Sequence, residues 1–296
     1  MLKRTATILA AFVLAALAGS FAGALHPLGD SLAVFRLPLA GLAGALVLAS
    51  GLARLWKWAA ALACLAAAAS VGWHKIAPPP PDRPGALRLY QKNMFHQNAD
   101  LDGLAVDILA AGPDIVTLQE VSVENEALLD RLWAAYPHQH MCRYSARSAI
   151  AVLTRLEVAG AGPAARLCER RLGLAGLRVQ TARGPVWALS LHLSWPWPLP
   201  QAGQVDRLER ALAPLDAPAV IGGDFNMVAW SHTLARVARV SGTRRAGPSR
   251  PSFFLYGLPL PIDHVFAPGG GHVDTRPRLG GDHFGLLARI RLQARP

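Results

Sequence analysis

The amino-acid sequence predicts an α/β protein, a two-sheet sandwich flanked by helices, preceded by about three transmembrane helices. Three observations carry this. Before about residue 76 charges are sparse and Ala and Leu dominate, whereas charges appear at ordinary density afterwards. The later part holds many short strand-like apolar runs with few helices between them, a pattern of packed sheets with helices outside. Several of those strands end in a polar residue, which would gather one polar cluster at an edge of an apolar core. The chain divides accordingly into a membrane region (1–76), a Pro-rich linker (77–84) and a globular domain (85–296), with no repeat of solenoid period.

Residues 5–25 are apolar and uncharged, long enough to cross a bilayer core of roughly 30 Å as a helix. A second span runs from about Leu37 to Ala53 and a third from about Trp58 to Trp73, with Trp56, Trp58 and Trp73 suited to the interfaces. Lys3-Arg4 and the pair Arg54 and Lys57 face the cytoplasm by the positive-inside rule. The loop around His26 to Arg36 then faces outward, and an odd number of spans places the rest of the chain outside too. In a bacterium this is an inner-membrane protein with a periplasmic domain. A cleavable signal peptide ending near Ala18-Gly19-Ser20 is the alternative for the first segment, but the two further apolar segments favour three spans. Ionisable residues that mark ion pathways are almost absent, so the spans read as an anchor. Pro78 to Pro81, extended by Pro84, form a semi-rigid spacer expected to hold the next domain away from the membrane surface.

Within the domain, Leu87 to Asn93 alternates as a strand. Asp102 to Ala111 has helical spacing, with Leu104, Ile108 and Leu109 on one face. Asp114 to Leu118 is a short apolar strand ending in Gln119-Glu120, and Glu124 to Tyr136 a second amphipathic helix. Ala149 to Leu153, Gly176 to Gln180 and Val186 to His192 are strands, and Gln204 to Leu215 is a helix. Val220-Ile221 leads into a loop at Asp224. Ser231 caps a helix running to about Val240, and Ile262 to Phe266 and Leu286 to Leu292 complete the strands.

The formal net charge is +11, and from Arg83 onward 24 basic residues stand against 17 acidic ones. Attraction to anionic substrates or lipid head groups and a simple Arg-rich composition fit this equally. Arg170-Arg171 and Arg244-Arg245 are too short for a nucleic-acid tract. Cys64 is a packing residue of an apolar helix. Cys142 and Cys168 either pair, if the domain lies in an oxidising compartment, or remain separate thiols. No CxxC or Cys/His zinc spacing occurs.

Ile221-Gly222-Gly223-Asp224-Phe225-Asn226 is the most informative stretch. In a strand, residues i and i+2 share a face, so Asp224 and Asn226 can address one small target. The glycines would let the backbone approach a bound group. Asn93, Glu120, His192, Asp263 and the pair Asp282-His283 are the other polar points. Next to Asp263, His264 should face the opposite way and is left out of the site. Trp195-Pro196-Trp197-Pro198 reads either as an aromatic wall beside the site or as a stiff loop packing on the domain or touching the membrane.

Asn93, Gln119-Glu120, Ser190-Leu191-His192-Leu193, Gly223-Asp224-Phe225-Asn226, Ile262-Asp263-His264-Val265 and Gly281-Asp282-His283 occur in an order that resembles the endonuclease/exonuclease/phosphatase superfamily. The resemblance covers about residues 86–293 and implies a four-layered α/β sandwich with divalent-metal-dependent hydrolysis of a phosphoester, Mg²⁺ or Mn²⁺ being the cofactor. It assigns Asn93, Glu120 and Asp282 to the metal. It assigns catalysis to Asp224, which orients or deprotonates the water, to His283 oriented by Asp263, and to the phosphate contacts His192 and Asn226. Trp195 and Trp197 would line the substrate. Arg147 stands where members acting at abasic sites carry Tyr, with Tyr144 nearby, which argues against that activity. The expected function is a membrane-anchored phosphoesterase acting on nucleic acid, lipid or a small molecule, as nuclease, head-group phosphodiesterase or phosphomonoesterase. The alternative is a catalytically silent phosphate- or lipid-binding module of the same fold. No obligate protein partner is inferred.

Overall fold

A computed structural model describes residues 1–76, 86–145 and 148–292. It begins with four helices, α1 (Leu2–Gly19), α2 (Leu28–Val34), α3 (Arg36–Ala49) and α4 (Arg54–Gly72). Two helical stretches, Leu2–Gly19 and Arg54–Lys75, are each long and apolar enough to cross a membrane, whereas α2 and α3 pass that test only as a pair bent by 76°. There are thus two or three candidate spans. The first ends at Gly19 rather than at residue 25, and the loop expected over His26 to Arg36 contains α2. Arg36 is buried at the start of α3, donating to Ser20 Oγ (3.0 Å), Ser70 Oγ (3.3 Å) and the Ser20 carbonyl and lying over the Phe21 ring. Its five donors are thereby largely satisfied, and one guanidinium gathers the ends of three helices.

The Pro-rich linker and Arg147 lie outside the described residues. The idea of a domain held off by a spacer meets a different arrangement, because α2 packs into the domain. Ala33 and Val34 share a buried cluster with Leu208, Val237 and Ile262. Trp230 Nε1 donates to the Ala33 carbonyl (2.7 Å), and the Ser249 amide to the His74 carbonyl (2.8 Å).

The remaining elements are β1 (Leu87–Asn93), α5 (Leu101–Ala111), β2 (Ile115–Val121), α6 (Ala127–Leu132), β3 (His138–Arg143), β4 (Ala149–Thr154), β5 (Arg166–Glu169), β6 (Leu174–Thr181), β7 (Gly184–His192), α7 (Gln201–Leu212), β8 (Ala219–Asp224), α8 (His232–Val240), β9 (Arg244–Arg245), β10 (Phe253–Leu255), β11 (Leu258–Leu260), β12 (Asp263–Ala267), β13 (Gly271–Arg276) and β14 (Gly285–Ile290). One six-stranded sheet runs β13-β14-β1-β2-β4-β3 and the other β5-β6-β7-β8-β12-β9, with β10 and β11 as a separate hairpin. Both are mixed, β1–β2 and β7–β8 being the parallel pairs.

Alternation sorts the side chains into four layers. Leu89, Ile115, Val152, Leu177, Ala188, Val220 and Val265 fill the space between the sheets. Tyr90, Val116 and Leu118 pack outward on Leu104, Ile108 and Leu128 of α5 and α6. Leu189, Leu191 and Ile221 pack on Val205, Leu208, Leu234 and Val237 of α7 and α8. Asp100 and Ser231 cap α5 and α8, accepting from Gly103 N and Leu234 N. Two expected helices stop early for a common reason. Pro137 and Pro214 have no N–H to carry the helical hydrogen-bond ladder onward, and α6 ends at Leu132, not Tyr136, and α7 at Leu212, not Leu215.

Cys142 on β3 and Cys168 on β5 form a disulfide. These are edge strands of different sheets, so the bond ties the two layers together. With the cysteines 26 positions apart in sequence, closing that loop in the unfolded chain corresponds to roughly 3 kcal/mol. Converting both cysteines to Ser is therefore expected to lower the melting temperature of the detergent-solubilised chain by roughly 6–12 °C. Equal melting curves for the two proteins would contradict this.

Candidate active site

The polar residues that the sequence singles out are delivered by strand ends of both sheets. Asn93 ends β1, Glu120 lies near the end of β2, and His192 and Asp224 end β7 and β8. Asp263 opens β12, and His283 stands two residues before β14. Pairing fixes their neighbourhood. Asp224 is flanked in register by His192 on one side and Asp263 on the other, and Asn93 lies beside Gln119. Glu120 sits in a bulge between Leu118 and Val121 with φ 54°, a left-handed conformation uncommon for a non-glycine residue. The bulge turns its carboxylate toward the other sheet.

Two local expectations need correction. The glycines ahead of Asp224 serve packing rather than approach to a ligand. A Cβ on Gly222 would come 2.3 Å from Thr117 Oγ1 of the facing sheet, and one on Gly223 would come 2.2 Å from the Leu191 carbonyl. Asn226 reaches the site by a turn rather than by strand alternation. It has φ 47°, its amide donates to Asp224 Oδ1 (2.9 Å), and its Nδ2 donates to the Leu193 carbonyl (2.8 Å).

Asp224 is the centre of the cluster and 1 % exposed. Its Oδ2 accepts from Asn93 Nδ2 (2.9 Å) and lies 3.5 Å from His192 Nε2 and 3.8 Å from His283 Nε2. The same Asn93 nitrogen donates to Glu120 Oε1 (3.0 Å). His283 Nδ1 meets Asp263 Oδ2 at 2.7 Å, and Asp263 Oδ1 accepts from Gln91 Nε2 at 2.9 Å. His192 Nδ1 lies 2.8 Å from the Tyr144 hydroxyl, with Asn226 Nδ2 3.5 Å from its Nε2. His264, as its alternation requires, turns away. It is fully buried against the Met227 carbonyl (2.8 Å), and burial pushes its pKa down to about 3, leaving a neutral ring.

Ionisation follows from this layout. Burial, reinforced by the Asp263 charge, pushes the Asp224 carboxyl up to about 6 against the opposing pull of His283 and His192. Burial also disfavours the His283 imidazolium, but the Asp263 and Asp224 carboxylates outweigh it and push its pKa up to about 9. Asp263 goes the other way. Burial opposes its ionisation, yet the His283 charge and hydrogen bonds from His283, Ser252 and Gln91 hold it below the usual carboxylate range. Glu120 is lowered as well, burial being overcome by the Asn93 hydrogen bond and the two histidines. Burial pushes Tyr144 up to about 12, so its hydroxyl keeps the proton it can give to His192.

A model of the Endonuclease/Exonuclease/phosphatase family matches residues 91–283, from Gln91 beside the site to His283 within it. The chain belongs to this family. No curated protein sequence matches it. Among solved structures, TDP2 from C. elegans superposes with a TM-score of 0.55 at 18% identity, covering 78% of this chain and 80% of that one. D. rerio TDP2 complexed with single strand DNA product gives 0.51 at 16%, covering 68% and 97%. A mutant form of beta toxin from Staphylococcus aureus with bound magnesium ions gives 0.53 at 14%, covering 70% and 100%. At such identities the likeness establishes the shared fold of this family and nothing finer.

The family implies a divalent cation, and the residues fit one. Ligand atoms of Glu120, His192 and Asp224 lie within 4.8 Å of one another, as do those of Asp224, Asp263 and His283. Burial first, and the neighbouring Asp263 carboxylate second, raise the Asp224 pKa, and a cation at this position would oppose both. Asp282 belongs to neither trio, and its Oδ1 is buried without a hydrogen bond. Asn93 faces the carboxylates with its nitrogen while its Oδ1 accepts from the Phe95 amide (2.9 Å). In this orientation it braces the two carboxylates.

The two tryptophans part company. Trp195 packs edge-on against Phe253, whose ring is 4.9 Å from His283, and so lies behind the site. Trp197 meets His26 edge-on, and its carbonyl accepts from Ser31 Oγ (2.7 Å), which places it against the membrane region. Gln91, Ser252 and Phe253 are site neighbours that the sequence did not single out, and Tyr144, named there only for its place near Arg147, meets His192. Gln91 alone carried a signal, being two residues before Asn93 on the same strand face. A cleft of about 490 Å³, lined by His96, Asn98, Glu124 and Asn125, opens beside Glu120.

Proposed function

We propose that the protein is a membrane-anchored, divalent-metal-dependent hydrolase of phosphoesters, with its catalytic domain on the outer, periplasmic side. The observation that carries this reading is Asp224, a buried carboxylate set between two histidines and braced by Asn93 to a second carboxylate, Glu120. Glu120 and Asp224 are the residues that would hold the cation. A hard cation such as Mg²⁺ would neutralise charge on phosphoryl oxygens there. Asp224 accepts a proton from the attacking water. His283 keeps its proton through Asp263 and offers Nε2–H to the charge that develops on phosphorus-bound oxygen. Tyr144 donates to His192 Nδ1, which leaves Nε2 carrying the hydrogen toward a phosphate oxygen. Asn226 closes the same side. Asp282 acts from the periphery, and Trp195 supports the ring of Phe253 behind His283.

The membrane assignment rests on the apolar helices, and the side on two further observations. A structural disulfide belongs to an oxidising compartment. The α2 segment and the domain it packs into must lie on one side of the membrane, as three spans require. Magnesium in the beta toxin structure and the DNA product bound to D. rerio TDP2 support a cation and a phosphoester substrate, without choosing between nucleic acid and lipid.

The test uses the full chain in detergent, stripped of metal, with a generic phosphodiester and a generic phosphomonoester. Turnover is expected on adding Mg²⁺ or Mn²⁺ and is expected to fall at least about 100-fold in Glu120→Ala. A folded protein with no turnover on either ester under any of these conditions would make the silent binding module the better reading.

A further inference from the structure

We propose that Asp30, on α2 between the first two long helices, is a positioning residue for the active site, acting through the loops that follow His192 and Asp224. Its carboxylate is 4 % exposed and spent entirely on the domain. Oδ1 accepts from the His232 amide (2.8 Å), and Oδ2 accepts from the Thr233 amide (2.9 Å) and hydroxyl (2.7 Å). The first amides of a helix have no partner within it. In α8, Ser231 serves Leu234, and the two amides left over are taken by a residue about 200 positions earlier in the chain. A negative group at this end also suits the helix dipole.

The consequence lies in what α8 and α2 hold. The segment 225–231 runs from Asp224 straight into α8, and Trp230 near its end donates to Ala33 on α2. The segment 193–200 leaves His192, and its Trp197 carbonyl accepts from Ser31, also on α2. Close to the site the two segments are cross-braced: Asn226 Nδ2 donates to the Leu193 carbonyl, and Gln201 Nε2 to the Ser194 (2.6 Å) and Phe225 (3.0 Å) carbonyls. One seven-residue helix of the membrane region therefore fixes the far ends of both loops whose near ends carry His192, Asp224 and Asn226. Little slack is left, since a Cβ on Gly23 would come 2.4 Å from Asp30 Oδ1. The membrane region is then part of the catalytic framework as well as an anchor.

The effect on rate rests on the hydrolase reading above, whereas the effect on loop order does not, so the experiment reads both. Asp30→Ala and Asp30→Asn are made in the full chain in detergent, with the exposed Asp102→Asn on α5 as control. Hydrogen exchange is followed by segment, and turnover of a generic phosphodiester with Mg²⁺ is measured alongside. In Asp30→Ala, exchange is expected to quicken about tenfold to a hundredfold in 225–234 and in 193–200, with α5 and β4 unchanged. Turnover number should fall about tenfold with KM within twofold. Asp30→Asn, which retains one acceptor, should lie between. Exchange that quickens only at His232 and Thr233, or uniformly throughout the domain, would overturn the proposal, as would loosened loops with an unchanged turnover number. Should no variant or parent turn over, the hydrolase reading fails, and the exchange pattern alone decides whether Asp30 orders both loops.

Discussion

Asp224→Asn is expected to abolish most activity while making the protein more stable. Loss of the group that takes the proton, and of one of the carboxylates that would hold the cation, should lower the turnover number by at least about 1000-fold. The stability change has the opposite sign because of where Asp224 sits. Its pKa is about 6 in the folded chain against an ordinary value of 3.8, raised by burial and by Asp263. The unfolded chain therefore releases the proton at lower pH than the folded one, and folding is opposed increasingly between pH 4 and 6. At neutral pH the penalty is at most roughly 3 kcal/mol. Asn is isosteric, keeps an oxygen for the Asn226 amide and removes the charge, although its nitrogen then faces Asn93 Nδ2 and offsets part of the gain. Metal-free Asp224→Asn should therefore melt higher than the parent at pH 7, with the gain vanishing below about pH 4. A melting temperature lower than the parent's at pH 7 would show that the carboxylate stabilises the fold, and the argument from crowded charge would fail.

The same tension explains which features could be read from the sequence. Central strands such as β2, β7 and β8 are buried on both faces and leave short apolar runs, and β1 is marked by its alternation. The edge strands β3, β5 and β13 pair on one side only and carry His, Arg and Glu, so no run marks them. The site was legible for a related reason. Asn93, His192, Asp224 and Asp263 are polar residues at the ends of apolar strands, and a charge placed there contradicts its surroundings in a way a one-dimensional reading can detect. Gln91, Tyr144 and Ser252 carry no such contradiction. Their importance lies wholly in the residues they meet across the fold, Gln91 with Asp263 and Tyr144 with His192. Asp30 was invisible for the strongest form of this reason, because a lone acid between two apolar helices looks like an ordinary loop residue until α8 arrives. Asp224 and Asn226 are brought together by a turn, whereas their i, i+2 spacing by itself implies a strand.

Asp263→Asn tests the other half of the site, and its signature is in pH. In the parent, burial works against the His283 imidazolium, and the carboxylates of Asp263 and Asp224 more than compensate, so the ring stays protonated up to about pH 9. A pKa raised on folding contributes stability below the unfolded value of 6.5 and loses it as pH rises through 9. Activity that needs the ring proton should follow the same upper limit. Its acid limb should lie at or below about 6, where Asp224 ionises, since a bound cation adds to the positive field there. Asn at position 263 can still accept a hydrogen bond from Nδ1, so ring orientation survives while the main charge opposing burial disappears. The alkaline limb is then expected to move from about 9 to 6.5 or below. The turnover number should fall about tenfold near pH 6 and by at least about 100-fold near pH 8. Stability should likewise lose its decline between pH 6.5 and 9. A uniform loss of rate with the alkaline limb still near 9 would mean that Asp263 only holds the ring in place. A shifted limb would mean that it sets the charge. Coupling to Asp224 gives a further check. The two carboxylates act on one imidazolium, so the effects of Asp263→Asn and Asp224→Asn should combine to less than their product in the double variant. Full multiplicativity would place the two residues in separate steps and would dismantle the single cluster on which the mechanism stands.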